Sequence, residues 1–237
     1  MKSPLISCVV PVFNGERYLK ETLDSILAQT YQPVEILVAD DGSTDDTAGL
    51  VSRYGQRVRY LWQANAGEAA ARNLGLTAAH GEFVAFLDAD DLWHSQKLER
   101  QMSRFQEPAP IDLCFTQYEN FWVPELAEEE LKYRGKTISQ SQSSWSISTL
   151  LIRRAGFERF GKFSTAAYWP PESENLIWFL HAVEQGAVVE VMPDILMSRR
   201  LHSTNQSRKQ TLEAFFPILK EWRDYQRRRC TATLSKP

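Results

Sequence analysis

The 237-residue chain predicts an α/β protein: a mostly parallel sheet with helices on both faces. Three observations carry this. Apolar runs at Ile6 to Phe13, Val34 to Ala39 and Phe83 to Leu87 suit strands buried on both faces. The stretches between them repeat apolar or small residues at helical period. The two signals alternate at βαβ spacing over the first ~100 residues.

The elements follow in order. Glu16 to Gln29 places Leu19, Leu23, Ile26 and Leu27 on one stripe and predicts a helix. The second strand stops at Asp40-Asp41-Gly42, and Ser43 is placed to cap a helix with Asp46 as its box-like partner. Val58 to Trp62 suits a third strand, and Gly67 to His80 a helix rich in small residues. The fourth strand ends at Asp88-Ala89-Asp90-Asp91, before a further helix. Ile111 to Tyr118 reads as a strand, and residues 124 to 145 as a polar, mobile excursion containing Glu128-Glu129-Glu130 and the Ser/Gln-rich Ser139 to Ser144. Glu174 to Gln185 reads as a helix with Ile177, Leu180 and Val183 inward. Val188 to Met192 and Ile195 to Leu201 suit two strands, and Thr211 to Arg229 an amphipathic helix kinked at Pro217.

Composition excludes several classes. Twenty-seven basic side chains against thirty acidic ones leave a net charge of −3, with 43% hydrophobic and 24% charged residues. A disordered chain, a collagen-like repeat and a disulfide mini-protein do not have these values. No apolar run reaches the ~18 to 20 residues of a bilayer span, and the start reads as a strand broken by Pro11 rather than a signal peptide. Cys8, Cys114 and Cys230 are odd in number and widely spaced, as free thiols of a reducing, cytoplasmic compartment are. Basic residues gather between Arg208 and Arg229, leaving the rest of the chain acidic and no nucleic-acid surface over its body.

Ligands of open α/β sheets bind beyond the carboxyl ends of the strands. Asp40-Asp41 and Asp88-Ala89-Asp90 fall at two such ends, and crowded carboxylates call for a partner. Hard oxygen ligands suit Mg²⁺ or Mn²⁺, which keep positions for phosphate oxygens. A helix cap, with Asp91 the better placed, is the competing role for the Asp-x-Asp segment. For Asp40-Asp41 it is an Asx-turn. A receiver domain would carry its acidic pair after the first strand, where this chain has Pro11-Val12-Phe13-Asn14.

The motifs in sequence are Val10-Pro11-Val12-Phe13-Asn14-Gly15-Glu16 with Tyr18-Leu19, Ser25-x-x-x-Gln29-Thr30, Val38-Ala39-Asp40-Asp41-Gly42-Ser43-Thr44-Asp45, Asn65-Ala66-Gly67, Ala71-Arg72-Asn73-x-Gly75, and Phe86-Leu87-Asp88-Ala89-Asp90-Asp91. Their order and spacing resemble family 2 glycosyltransferases, inverting enzymes of the GT-A fold. The resemblance is strong over residues 6 to 100 and weak over 145 to 207. It implies a GT-A domain over 1–207, with a nucleotide-sugar half at 1–100 and an acceptor half at 101–207. Residues 208–237 would add an amphipathic helix and a basic tail.

The resemblance also implies roles. Pro11, Val12 and Phe13 would hold base and ribose, with Phe13 stacking and Glu16 near the nucleotide. Asp41 would accept a base N–H, most commonly of uracil. Arg72 would line the same pocket, where Ala69, Ala70 and Ala71 let backbone come close. An ion pair with Asp41 or Asp88 is its other role. Asp88 and Asp90 match the family's Asp-x-Asp around Ala89, with Asp90 ranked first as ligand of Mn²⁺ or Mg²⁺. Arg199-Arg200-Leu201-His202 matches an Arg-x-His segment, placing His202 by the metal or diphosphate and Arg200 by the phosphates.

Inversion needs a carboxylate to take the acceptor hydroxyl's proton. The usual Glu-Asp pair is missing from Pro171-Glu172-Ser173-Glu174-Asn175. Aligning Ile177-Trp178-Phe179 with the family's helix puts Glu174 at the base position, with Glu172 second. Both glutamates would also favour a helix N-terminus. Trp145, Tyr168 and Trp169 are candidate sugar platforms or core residues.

A nucleotide-diphosphate sugar, chiefly a UDP-sugar, is the implied donor. A glycan or lipid-linked saccharide is the implied acceptor, in polysaccharide biosynthesis at the cell envelope. The C-terminal basic helix would pack on the domain or touch the inner face of an anionic membrane. Oligomer formation stays open. A nucleotidyltransferase would want a Gly-rich phosphate loop where this chain has only Gly15, and the altered acidic pair leaves room for a non-catalytic nucleotide-sugar binder.

Overall fold

A computed structural model describes residues 3–133, 146–165 and 173–205. Among the described residues, eight strands form one sheet: β1 (Ile6–Val12), β2 (Val34–Asp40), β3 (Val58–Trp62), β4 (Phe83–Phe86), β5 (Leu92–Trp93), β6 (Leu113–Trp122), β7 (Leu151–Arg153) and β8 (Val189–Leu201). Their spatial order is β3-β2-β1-β4-β7-β6-β8-β5. β1 to β4 run parallel, β7 runs antiparallel to β4 and β6, and β6 pairs in parallel with β8. The helices are α1 (Leu19–Leu27), α2 (Thr47–Ser52), α3 (Glu68–Ala78), α4 (Lys97–Phe105), α5 (Ala127–Tyr133), α6 (Gly156–Phe160) and α7 (Ser173–Glu184).

Strand alternation divides the core in two. Val10, Val12, Ile36 and Val38 pack with Leu19, Leu23 and Ile26 of α1. Val9, Leu37 and Phe86, from the neighbouring register positions, pack with Ala69 and Leu76 of α3. All seven residues of β1 are buried, which explains its unbroken apolar run. A Cβ on Gly75 would stand 2.3 Å from Val9 Cγ1, so α3 lies directly on β1.

Several local expectations are corrected. α1 begins at Leu19 because residues 14–18 make a turn, with Asn14 at φ 54° and the Leu19 N–H donating to Gly15 O at 3.0 Å. Ser43 caps no helix: its Oγ accepts the Asn14 N–H at 2.8 Å, and Asp45 Oδ1 accepts the Thr47 N–H at the start of α2. Asp91 caps none either, since β5 follows it and its Oδ1 accepts the Arg200 N–H at 2.9 Å. The excursion expected from 124 begins as a turn at Pro124–Leu126 followed by α5. The two C-terminal strands are one 13-residue strand, whose register against β6 is irregular where Pro193 falls. On α7 the buried side chains are Glu174, Trp178, Phe179, Leu180 and Ala182, while Ile177 and Val183 are half-buried. Cys8 and Cys114 are buried free thiols. Ser139 to Ser144, the helix expected at 211–229 and Cys230 lie outside the described residues.

Candidate active site

Two loops at the carboxyl ends of β1 and β2 are joined by their own polar groups. Asn14 Oδ1 accepts the Thr44 N–H at 2.8 Å, Thr47 Oγ1 accepts the Gly15 N–H at 2.9 Å, and Asp45 Oδ2 accepts the Glu16 N–H at 3.0 Å. Glu16 returns the contact by accepting the Asp46 N–H at 2.9 Å. Pro11 and Val12 are buried within β1, and Phe13 projects at 53% exposure. Of that trio, Phe13 has an aromatic face to offer a planar ligand.

Asp41 is buried and well satisfied. Its carboxylate accepts from Gln63 Nε2 at 2.6 Å and from the Ala66 and Gly67 N–H groups at 2.9 and 2.8 Å. It thereby fixes the segment entering α3. The adjacent Asp40 accepts from the Ser43 N–H at 2.7 Å and Tyr60 Oη at 2.6 Å.

Arg72 is the centre of the opposite wall. It is 1% exposed, projects from α3 and serves carboxylates of α3, of the loop after β4 and of α7. Nη2 donates to Glu68, one helical turn back, and to Asp88 Oδ1 at 3.2 Å. Nη1 donates to Glu174 Oε1 at 3.2 Å and Asn175 Oδ1 at 2.9 Å. Burial works against its charge, but Glu68, Asp88 and Glu174 outweigh it and hold the guanidinium above its ordinary range. The ion pair expected with Asp88 is present, and the one with Asp41 is absent because Asp41 is taken by Gln63 and the loop.

Asp90 faces a second set of partners. Its Oδ2 is 2.8 Å from His202 Nε2 and 3.2 Å from Asn205 Nδ2. The Thr204 N–H donates to His202 Nδ1 at 3.3 Å, which leaves the Nε2 proton for Asp90. Arg200 is engaged as a brace: Nε donates to Asp90 O and Nη2 to Glu21 Oε2, both at 2.9 Å. Its guanidinium lies between Tyr18 and Phe121, 4.6 and 4.7 Å from the ring centroids. Ala89 contributes its carbonyl to Thr22 Oγ1 at 2.9 Å. Burial, with Asp90 and Asp88 adding to it, pushes Asp91 well above the usual carboxylate range. The chain's own donors meet part of the acidic crowding read from sequence: Arg72 at Asp88, His202 and Asn205 at Asp90, and the Arg200 N–H at Asp91.

The donor set still suits a hard divalent ion. Asp88 and Asp90 are 31% and 30% exposed at the side chain, and each has one carboxylate oxygen without a partner among the described residues. Among those residues, no group of three or more His, Cys, Asp or Glu side chains could hold an ion by itself. Two carboxylate oxygens with further positions left to phosphate and water is how Mg²⁺ or Mn²⁺ binds beside a nucleotide.

The chain matches the glycosyl transferase family 2 model over residues 7–164. It belongs to that family. An uncharacterized glycosyltransferase of Rickettsia felis is 37% identical over 142 residues, which are 59% of this chain and 22% of that protein. The glycosyltransferase GlyG of Streptococcus pneumoniae is 40% identical over 123 residues, 50% of this chain and 40% of that protein. The chain covers less than two thirds of the length of either relative. Among solved structures, the S. aureus TarS 1-349 complex with UDP-GlcNAc matches with a TM-score of 0.68 at 22% identity, covering 87% of this chain and 61% of that one. Mannosyltransferase PcManGT from Pyrobaculum calidifontis, in complex with GDP-Man and Mn2+, matches at 0.64 and 21%, covering 88% and 60%. These likenesses show the GT-A fold.

In this family 2 chain the structure brings Asp88, Arg72 and Glu174 to one point, and Asp90, Arg200 and His202 to another. Glu172, Trp145, Tyr168 and Trp169 lie outside the described residues. Glu68, Asn175, Asn205 and Glu21 were missed. Glu68 was findable, four residues from Arg72 on one helix face. The others meet their partners only through the fold.

Proposed function

We propose that this chain is an inverting glycosyltransferase that moves a sugar from a nucleotide-diphosphate donor, preferentially a UDP-sugar, onto a hydroxyl of a glycan or lipid-linked saccharide. One observation carries this: a single buried guanidinium joins Asp88 of the Asp-x-Asp segment to Glu174, so a donor-side acid and a candidate base share one wall. The UDP-GlcNAc of the TarS structure and the GDP-Man and Mn2+ of PcManGT support the donor class and the ion.

Phe13 stacks on the base, Asp41 accepts its N–H through the lone pair left on Oδ2, and Pro11, Val12, Glu16 and Ala89 shape the cleft in this reading. Asp88 and Asp90 would hold Mg²⁺ or Mn²⁺, which supplies charge neutralisation to the leaving diphosphate when bound. His202 and Arg200 keep Asp90 oriented, and the Arg200 guanidinium presents positive charge to that side. Glu174 Oε1 is held by Arg72, and Oε2 takes the proton. The acceptor oxygen forms its bond to the anomeric carbon as the carbon–phosphate-oxygen bond breaks, and the electron pair leaves with the nucleoside diphosphate. The catalytic domain is 1–207 in this reading, with 208–237 an appendage.

Glu174→Gln should lower transfer about 10²- to 10⁴-fold while UDP affinity is unchanged by calorimetry. Transfer at the wild-type rate would remove Glu174 as base. Asp90→Ala should abolish the Mn²⁺-dependent part of UDP affinity, and equal affinity with and without Mn²⁺ in both proteins would end the metal role.

A further inference from the structure

We propose that the adjacent Arg72 and Asn73 of α3 are positioning residues that set the base-bearing start of α7 against the donor carboxylates. This rests on Glu174 being the base.

Two contacts bracket the chain between Phe163 and Glu174. At its near end Asn73 makes a paired clip: Nδ2 donates to Phe163 O at 2.8 Å, and Oδ1 accepts the Phe163 N–H at 3.1 Å. At its far end Arg72 Nη1 holds Glu174 Oε1 and Asn175 Oδ1. Consecutive residues of one helix therefore hold Phe163 and the start of α7. α3 is a rigid reference for both, because Ala69, Gly75 and Leu76 pack it against Val9 of the buried β1.

The aromatic packing fixes the same geometry. Phe163 lies 5.4 Å from Phe86 of β4 and 5.3 Å from Trp178 of α7, centroid to centroid, and Arg72 stands 5.9 Å above its ring. Trp178 Nε1 donates to Gly161 O at 2.7 Å, tying Gly161 to α7. Phe86 leads by two residues into Asp88, so β4, α3 and α7 meet around one ring.

Charge explains why Arg72 needs to be an arginine. One guanidinium faces Glu68 of its own helix, Asp88 of the loop after β4 and Glu174 of α7. A lysine presents a compact charge and no planar fork, so it cannot hold Asp88 and Glu174 on separate nitrogens at once. The fork fixes where Glu174 Oε2 stands relative to Asp88. That placement matters to rate, since a misplacement of about 1 Å can cost about 10²-fold.

The test uses the full chain and four readouts on each protein: melting temperature, UDP affinity with Mn²⁺ by calorimetry, and kcat and KM for nucleotide release. Turnover uses whichever of UDP-N-acetylglucosamine, UDP-glucose or GDP-mannose raises the wild-type melting temperature most. Asn73→Ala should lower kcat roughly 10- to 100-fold while UDP affinity and donor KM stay within about threefold. Arg72→Lys should lower kcat at least as much. In the Glu174→Gln background Asn73→Ala should lower kcat no further, because its effect runs through the base. Should Asn73→Ala fold poorly, Asn73→Ser, which shortens the side chain and breaks the paired clip without adding charge, should show the same kcat-selective loss. A parallel loss of UDP affinity and kcat would overturn the proposal, making this pair a nucleotide contact. So would a full additional loss on top of Glu174→Gln, or no loss at all. Collapse of Glu174→Gln beside a wild-type Asn73→Ala would sink the positioning role alone. Wild-type turnover by Glu174→Gln would sink the base and the positioning together.

Discussion

Lys97 is wholly buried, and no carboxylate contacts it among the described residues. Its Nζ donates to Gln101 Oε1 at 2.9 Å and lies 4.2 Å from the centroid of the Trp93 ring. Burial pushes it down to about 7, while the Cys8 and Cys114 thiolates would pull the other way. The unfolded chain binds this proton more tightly than the native one between pH 10.5 and about 7. Stability from this group therefore falls as pH drops through that window and is level below it. Lys97→Met should raise stability at pH 7 by about 2–4 kcal/mol, after loss of the Gln101 contact, and flatten the alkaline slope in denaturant titrations. A lower midpoint would show that the amine is worth more to the core than its charge costs. Nothing about Lys97 in sequence shows this, because a lysine before a helical stripe is ordinarily solvated.

Gly75 states the corresponding point for α3. Alanine is favoured over glycine in a helix by about 1 kcal/mol, so propensity alone predicts that Gly75→Ala stabilises. The new Cβ would meet Val9 Cγ1 at 2.3 Å in a strand that is buried along its whole length. Overpacking of that kind costs about 1–3 kcal/mol, so the melting temperature should fall. An increase on a thermal melt would mean that α3 can lift from β1. The small-residue run of α3 was legible in sequence as a helix, but its seating on Val9 through Gly75 was not. The start of α1 and the cap of α2 were not, because Asn14, Ser43 and Asp45 spend their side chains on each other's loops across a gap of about thirty residues. The break expected in β8 at Pro193 was also misread, since a register irregularity against β6 accommodates the proline within one strand.

Across the molecule, the parallel half from β1 to β4 holds Asp41, Arg72, Asp88 and Asp90, while α7 and the segment after β8 bring Glu174 and His202 to the same edge. A ligand spanning those parts should stabilise the fold by mass action. UDP with Mn²⁺ at a hundred times its Kd should add about 2.7 kcal/mol. For a chain of this size that is a shift of roughly 5–10 °C, and UDP without the ion should give less. An unchanged melting point under both conditions would count against nucleotide binding at this edge of the sheet.

The local repeats of apolar residues and the spaced acidic motifs were enough to establish the α/β class, the parallel half-sheet and the family, since burial on two faces and turn chemistry are written in neighbouring residues. They also brought Glu174 forward. The partners of Glu174 and Asp90 were decided by tertiary structure. Arg72 reaches Glu174 across 102 residues and His202 reaches Asp90 across 112. No period or spacing encodes contacts at that separation, because they exist only once β4, α3, α7 and the end of β8 have packed around one edge of the sheet.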